Sequence, residues 1–181
     1  MSTTQVLIAG FGGQGILFAG KFLAYAGLLQ GRCVSWLPSY GPEMRGGTAN
    51  CSVILSDSQI GSPIVDRPDV LIAMNLPSLD KYENEAPAGA DIFVDSSLIQ
   101  RPVRRTDVNV WPIPATAMAS ENGYDTLANM ILMGHVIAKT GIIPKELIGD
   151  AMKKVVSARH ADLLEKNLEA LRLGFDYEGG K

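Results

Sequence analysis

The segment GFGGQG, residues 10–15, has the residue types and spacing of a turn that binds phosphate. Gly10, Gly12 and Gly15 match the pattern G-x-G-x-x-G, after the apolar run TQVLIA and before a long apolar stretch. In a strand–turn–helix unit, such glycines let a pyrophosphate approach the backbone, and the start of the helix offers free N–H groups to the anion. Three interpretations fit: a dinucleotide site, a tight turn that only packs helix against strand, and a turn whose N–H groups face an anion or a neighbouring chain.

The second half of the dinucleotide fingerprint is absent from the sequence. A carboxylate that holds the ribose is expected about 20 residues after the turn. No Asp or Glu lies between Met1 and Glu43, and Arg32 precedes the second predicted strand, so it is not placed to bind a 2′-phosphate. No Lys-Ser or Lys-Thr pair follows the glycines, which excludes a P-loop. NAD(P) binding therefore remains as the less favoured alternative.

A second segment, PSYGPEMRGGTANC at residues 38–51, carries further candidate binding residues. It combines an aromatic ring, a carboxylate and a guanidinium with residues that set the backbone: Tyr40, Glu43 and Arg45 with Pro38, Gly41, Pro42, Gly46 and Gly47. A guanidinium at a glycine-lined, partly desolvated position suits a phosphate or carboxylate bidentately. The alternative is an internal Glu43–Arg45 pair that only stabilises the loop. If both segments leave the carboxyl ends of adjacent strands, they share one crevice, where open α/β sheets bind ligands.

The elements that must position these segments follow from the apolar pattern. Strands are predicted at VLIA, CVSWL, CSVILS, DVLIAMN, ADIFVDSS and DVNVWPI, and helices lie between several of them. The helix predicted over 15–29 is apolar on almost every side, so we expect it to be covered on more than one side or to leave surface for a partner. The sequence thus predicts one Rossmann-like α/β layered domain over residues 1–181, with a mostly parallel sheet and a helical C-terminal third.

Composition excludes several classes of function. The net charge of −3 gives no electrostatic reason to expect nucleic acid. No apolar run reaches the roughly 18 residues that a membrane span needs, and the N-terminus lacks a basic, export-type start. We therefore expect no membrane partner and a cytoplasmic location.

Metal and catalytic sites are not expected on this chain. Cys33 and Cys51 are the only cysteines, two short of the four thiolates that an iron–sulfur cluster normally takes, and both are expected to be small core residues. His135, on a predicted apolar helix, is expected to be a core or interface residue because no nucleophile or base is near it in sequence. The cluster RPVRR, residues 101–105, is expected to be a solvated loop that could meet an acidic partner or phosphate.

Several segments together resemble the gamma subunit of 2-oxoacid:ferredoxin oxidoreductases. The resemblance rests on GFGGQGILFAGKFLAYA, SWLPSYGPEMRGGTANCSVILSD and IGSPIVDRPDVLIAMN, and it continues through PATAMASENG, ANMILMGHVIAKTG and EKNLEALRLGF. It covers nearly the whole chain, and its most specific element is the glycine turn followed by SYGPEMRGG. The second segment looks more like the 2-oxoglutarate or branched-chain 2-oxoacid branch than the pyruvate branch.

The resemblance implies a function for the complex and a supporting role for this chain. Such complexes oxidatively decarboxylate a 2-oxoacid, transfer the acyl group to coenzyme A and reduce ferredoxin. Thiamine diphosphate, magnesium and iron–sulfur clusters would reside on partner chains: alpha and beta subunits and a ferredoxin-like subunit. The gamma subunit itself would bind no cofactor tightly, would support assembly and would help to form the coenzyme A site; isolated, it could form a homodimer.

On this basis the expected site is a crevice that faces coenzyme A or the thiamine-bearing partner. Its residues are Gly12, Gly13, Gln14, Gly15, Tyr40, Gly41, Glu43, Arg45 and Gly46, with no catalytic residue and no metal ligand. The alternatives are a stand-alone NAD(P)-binding oxidoreductase or regulatory module and, less favoured, the related indolepyruvate-type subunit.

Overall fold

A computed structural model describes residues 2–40 and 48–179, with only the backbone of Tyr40. The strands are β1 Thr3–Phe11, β2 Cys33–Tyr40, β3 Thr48–Ser56, β4 Val70–Ala73, β5 Asp91–Asp95 and β6 Asn109–Ile113. The helices are α1 Ile16–Leu29, α2 Leu76–Tyr82, α3 Ala115–Glu121, α4 Ala128–Thr140, α5 Ile148–Val155 and α6 Ala161–Phe175, and a short 3-10 turn, Lys145–Leu147, precedes α5. The ends of this described chain, Ser2 and Gly179, are both exposed.

The strands form one six-stranded sheet in the order β2-β3-β1-β4-β5-β6. Strands β1, β4, β5 and β6 pair in parallel, whereas β3 is antiparallel to both of its neighbours, β1 and β2. Strand β2 therefore runs in the same direction as β1, and β3 alone is reversed. The predicted mostly parallel α/β fold is confirmed.

The register brings the glycine turn and the second segment to the same edge of the sheet. Phe11, the last residue of β1, pairs with Thr48, and Tyr40, the last residue of β2, pairs with Ala49. The two segments do not leave adjacent strands, however, because β3 lies between β1 and β2. The two segments share this side of the sheet because β2 and β3 form an antiparallel pair, so that the end of β2 at Tyr40 and the start of β3 at Thr48 lie beside Phe11.

Both faces of the sheet are buried, which explains the continuous apolar runs in its strands. Along β1, Val6 and Ile8 contact the core that includes α1 and α4–α6, whereas Leu7 and Ala9 contact a smaller core on the other face. That second core includes α2 and the apolar side chains of neighbouring loops.

Helix α1 is covered on two sides, as its composition predicts. Toward the sheet, a Cβ at Gly20 would meet Cys51 and Trp36, and one at Gly27 would meet Leu55. Helix α5 packs against α1 as well. Gly31, with φ of 72°, follows the helix in the left-handed conformation that commonly ends helices.

One expectation about the cysteines is wrong. Cys51 is buried in β3, and burial raises the pKa of its thiol to about 12. Cys33 is exposed instead, because it starts β2, the outermost strand on that side of the described sheet. Within the described ranges, no helix is long and apolar enough to cross a membrane.

Candidate functional site

The glycine turn is held in place by the side-chain amide of Gln14. Its Oε1 accepts a hydrogen bond from Phe11 N at 2.6 Å, and its Nε2 donates to Met74 O at 3.2 Å. The amide thus ties the end of β1 to the end of β4. A Cβ at Gly10 would lie 2.6 Å from Gln14 Oε1, so glycine is required there for the amide to fit. Both polar atoms of the Gln14 side chain are therefore used in fixing the turn, one within it and one at the end of β4.

The last glycine of the turn is fixed by helix α4. Gly15 precedes α1 with φ of 73°, a left-handed conformation that favours glycine. Its carbonyl accepts a hydrogen bond from Asn129 Nδ2 at 3.0 Å, and a Cβ at Gly15 would collide with the Asn129 side chain. Gly15 is therefore a packing contact between the turn and α4.

The middle of the turn is open. Neither Gly12 nor Gly13 would bring a Cβ within 4 Å of any described atom, and Gly13 has φ of 92°. Both line a cavity of about 300 Å³ that also contacts Gly15, Leu17 and Ala49. The first turn of α1 opens into this cavity and contains no acidic residue. The early N–H groups of a helix lack intrahelical acceptors, so this cavity can accept a negatively charged or hydrogen-bonding group.

The second segment reaches the same cavity through its C-terminal part, at the start of β3. Ala49 of β3 lines the cavity beside Gly12. The remaining predicted residues, Gly41, Glu43, Arg45 and Gly46, lie outside the described part of the chain, as does the side chain of Tyr40. Of the nine predicted residues, Gly12, Gly13, Gln14 and Gly15 are thus brought together in the described chain, and only Gly12 and Gly13 are open.

Two buried asparagines near the turn form hydrogen bonds with backbone atoms. Asn129 donates to Gly15 O, and Asn75 Oδ1 accepts from Ser78 N at 2.9 Å at the start of α2. What the sequence reasoning missed is that Asn129 clamps the glycine turn across 114 positions of chain. No local signal could have paired them, because the contact depends on how α4 packs against α1.

A buried carboxylate at the same edge was also missed. Asp95 is the last residue of β5 and is fully buried. It accepts hydrogen bonds from Ser97 N at 3.0 Å and from Thr116 Oγ1 at 2.5 Å. It also accepts from Thr116 N, in the first turn of α3. All these donors lie within the fold, so Asp95 anchors α3 to the sheet. A polar residue directly after a buried strand was the available signal.

His135 is a core residue, as expected. It is fully buried, with its ring edge-on to Phe93 and Tyr177 at centroid distances of 5.8 and 5.4 Å. Burial, and to a smaller extent the charge of Lys139, lowers the pKa of the imidazole to about 4. A neutral imidazole between two rings has no route to a substrate.

The basic cluster at 101–105 lies in a loop, as expected, and two of its three arginines form ion pairs within the fold. Arg101 forms ion pairs with Asp80 and with Glu83, the latter at 2.9 Å. Arg105 pairs with Asp107 at 2.7 Å and also donates to two backbone carbonyls, those of residues 83 and 86. Two of the three charges expected to meet an acidic partner, those of Arg101 and Arg105, are therefore already paired with neighbouring carboxylates, and Arg104 is exposed.

The sheet order bears on the dinucleotide interpretation. In a dinucleotide-binding fold, the second strand lies beside the first, so that its terminal carboxylate reaches the ribose. Here β3 separates β1 from β2, and the first acidic residue of the sequence, Glu43, lies beyond the end of β2 at Tyr40. The glycine turn has the local shape of a dinucleotide site without its sugar-binding neighbour.

Comparisons with known proteins agree with the resemblance seen in the sequence. The family model described as pyruvate ferredoxin/flavodoxin oxidoreductase matches residues 5–177. The 2-oxoglutarate synthase subunit KorC of Methanothermobacter marburgensis is 35% identical over 177 residues, which cover 94% of each chain. The ketoisovalerate oxidoreductase subunit VorA of the same organism is 38% identical over 96% of this chain, which spans only 36% of that longer protein.

Solved structures show the same fold. The gamma subunit of a keto/oxoacid ferredoxin oxidoreductase from Geobacter sulfurreducens superposes with a TM-score of 0.85 at 28% identity, covering 97% of this chain and 96% of that one. A chain of 2-oxoglutarate:ferredoxin oxidoreductase from Magnetococcus marinus, whose structure holds 2-oxoglutarate, coenzyme A and succinyl-CoA, gives 0.87 at 24% identity, and the match covers 97% of this chain but 31% of that one. The chain belongs to the pyruvate ferredoxin/flavodoxin oxidoreductase family.

Proposed function

We propose that this chain is the gamma-type accessory subunit of a 2-oxoacid:ferredoxin oxidoreductase. The complex would convert 2-oxoglutarate or a branched-chain 2-oxoacid to its acyl-CoA and reduce ferredoxin. The observation that carries the proposal is the end-to-end correspondence with KorC, a separate subunit of about the same length. The expected cytoplasmic location is part of the same proposal.

The catalytic cofactors belong to partner chains in this proposal. Two cysteines in the whole sequence are too few for an iron–sulfur cluster, which normally takes four thiolates. No cluster of three or more potential metal ligands occurs within residues 2–40 and 48–179. Alpha and beta subunits would hold thiamine diphosphate and magnesium, and a ferredoxin-like subunit would carry the clusters.

The role of this chain's own residues would be to form one wall of the coenzyme A site. Coenzyme A supplies the thiol that accepts the acyl group, and its phosphates are anionic. The open backbone at Gly12 and Gly13 and the start of α1 offer hydrogen-bond donors without a competing carboxylate in the first turn. Gln14 and Gly15 would hold that shape, and the segment with Tyr40, Gly41, Glu43, Arg45 and Gly46 would complete the wall. Alternatively, the same crevice seats the thiamine-bearing partner.

Gly12 gives this proposal its sharpest test. Its φ is not left-handed and no described atom lies within 4 Å of a Cβ there, so Gly12→Leu should fold normally while filling the cavity. In the assembled complex, we expect the KM for coenzyme A to rise at least about tenfold, equivalent to about 1.4 kcal/mol, or assembly to fail. Steady-state kinetics and size-exclusion chromatography distinguish these results.

The matched control is Gly61→Leu. Gly61 is equally unobstructed and has an ordinary φ, but it lines a different cavity, with Thr3 and Ser56. It should change neither the KM nor assembly. If Gly12→Leu leaves both at the wild-type level, the crevice is not a coenzyme A or partner site.

The alternative is a stand-alone NAD(P)-dependent protein. It predicts that the isolated chain binds NAD(P), whereas an accessory subunit would not. Saturable NAD(P) binding in calorimetry would favour it. The separation of β1 from β2 and the missing carboxylate favour the accessory role.

A further inference from the structure

A second cavity lies among the C-terminal helices, away from the glycine turn. It has a volume of about 220 Å³, and we call it the α4–α6 cleft. Its apolar lining comes from Ile148, Leu168, Leu171 and Phe175. None of these residues lines the cavity at the glycine turn.

Two of the residues that line the cleft are glycines, and packing explains only one of them. Gly134 is required by packing, because a Cβ there would collide with Leu171 O where α4 crosses α6. Gly149 has no such reason: no described atom lies within 4 Å of a Cβ at this position, and its φ is not left-handed. Glycine is the least favourable residue in a helix after proline. Packing among the described residues therefore does not require glycine at position 149. The missing side chain leaves space in the cleft that an external group can fill.

The rim of the cleft carries two exposed positive charges. Lys145 and Arg172 both line it, and neither forms an ion pair with a carboxylate of the described residues. Lys145 Nζ lies 4.8 Å from the centre of the Phe175 ring, so the ammonium is held beside the apolar lining. The cleft thus combines an apolar floor with an unneutralised cationic rim.

The volume of the cleft indicates what kind of group can bind in it. Small-molecule sites usually have volumes of about 300–1,000 Å³, and this cleft is smaller. It is large enough for one bulky side chain, and anchor side chains of this kind are typical of protein interfaces. Both charged side chains at the rim are cationic. We therefore expect the residues that flank the bulky side chain in its own chain to be acidic.

We propose that the α4–α6 cleft docks an acidic segment of a partner protein through one aromatic or large aliphatic side chain. The anchor packs over Gly149 against Leu168 and Phe175. Flanking carboxylates pair with Lys145 and, bidentately, with Arg172. This inference is independent of the coenzyme A proposal, because it uses no residue of the glycine turn.

The test is a titration of the full-length, ¹⁵N-labelled chain with a synthetic peptide that has one phenylalanine flanked by aspartates and glutamates. We expect saturable shifts of the amide resonances at Gly134, Gly149 and Phe175, with a Kd on the order of 1 mM for so small a contact. Two comparison peptides, one with lysines in place of the acids and one with glycine in place of phenylalanine, should not saturate.

Three variants locate the binding. Gly149→Leu fills the cleft and should abolish saturation, and the double variant K145E/R172E should weaken binding at least about tenfold, equivalent to 1.4 kcal/mol. The control K153E/K154E makes the same charge change on exposed α5 positions outside the cleft and should bind within about twofold of wild type. Circular dichroism checks that each variant is folded.

The proposal is overturned if the wild-type chain gives no saturable shifts or if the shifts map elsewhere. It is also overturned if the lysine peptide or the peptide without phenylalanine binds as well as the acidic one. Equal weakening by K145E/R172E and K153E/K154E would show general charge attraction and would likewise reject the cleft.

Discussion

The conformation of the glycine turn depends on Asn129, a side chain that is distant in the sequence. It is almost fully buried, and its Nδ2 donates to Gly15 O at 3.0 Å. We expect Asn129→Ala to destabilise the protein by about 1–3 kcal/mol, because Gly15 O would keep only Ala19 N as a donor and the removed amide would leave a cavity at a buried position. Urea denaturation measures the change. The exposed Asn122, which bonds Met118 O within α3, is the control; Asn122→Ala should stay within about 0.5 kcal/mol of wild type.

His135 makes stability depend on pH. In the folded protein, mainly because the ring is buried, its pKa is lowered from the ordinary histidine value of 6.5 to about 4. The unfolded chain therefore binds a proton that the folded chain does not accept, and the free energy of unfolding should fall as pH falls from about 6.5 to about 4. Besides Lys139, the side chains of Phe93 and Tyr177 face the ring, and neither adds a charge there.

Replacing the imidazole tests this dependence. In His135→Phe, the decrease in stability between pH 7 and pH 5 should be smaller than in wild type, as measured by urea denaturation at both values. A decrease of the same size would assign the pH dependence to other groups.

The residue types around the turn could be predicted from the sequence better than their roles. The motif identified Gly12, Gly13, Gln14 and Gly15 as one unit, because its spacing is local. The sequence could not show which of these residues are open to a ligand and which are packed against the rest of the fold. That separation depends on Met74 and Asn129, which approach the turn only through tertiary packing.

At the scale of elements, the backbones of α4 and α6 approach each other closely at two glycines. A Cβ at Gly134 would collide with Leu171 O, and one at Gly174 would collide with Ile131 O. Because the obstructing atoms are backbone, the helices must move apart to admit a methyl group. We expect Gly134→Ala or Gly174→Ala to destabilise by about 1–3 kcal/mol or more, as overpacking does.

The control for this pair is another helical glycine, Gly149. Without an obstruction, Gly149→Ala should stabilise the protein by about 0.5–1 kcal/mol. Thermal unfolding followed by circular dichroism ranks the variants. Equal effects at positions 134 and 149 would contradict the packing argument.

All six predicted strands and the main helices occur, because each has a clear apolar run between glycines, prolines or polar clusters. The position of β3 could not be predicted, since a central reversed strand and a crossover strand have the same apolar composition. For the same reason Cys33 was misplaced: the run CVSWL fits a buried strand as well as the edge strand that it forms.

At the scale of the whole molecule, half of the eight exposed large apolar residues of the described chain lie on or beside the outer strand β2, and the other four lie elsewhere. Four exposed large apolar residues lie on the C-terminal end of α1 and on β2: Leu28, Leu29, Trp36 and Leu37. Leu28 is 55% exposed and shares a groove of about 260 Å³ with Trp36. This is the surplus surface that the composition of α1 predicted, and it suits association of the isolated chain.

We expect the isolated chain to self-associate through this surface. Leu28→Glu should raise the dimer dissociation constant at least about tenfold, because a carboxylate would be desolvated in the contact. Sedimentation equilibrium measures it. Leu163→Glu, at an exposed leucine of α6, is the control and should have little effect. A wild-type chain that stays monomeric at all concentrations would refute the expectation.

The exposed ends of the described chain have an evolutionary consequence. Ser2 and Gly179 both lie at the surface, so extra polypeptide can be appended at either end without threading through the core. This exposure is compatible with the two arrangements found among relatives, because the chain matches nearly all of KorC but only about a third of VorA.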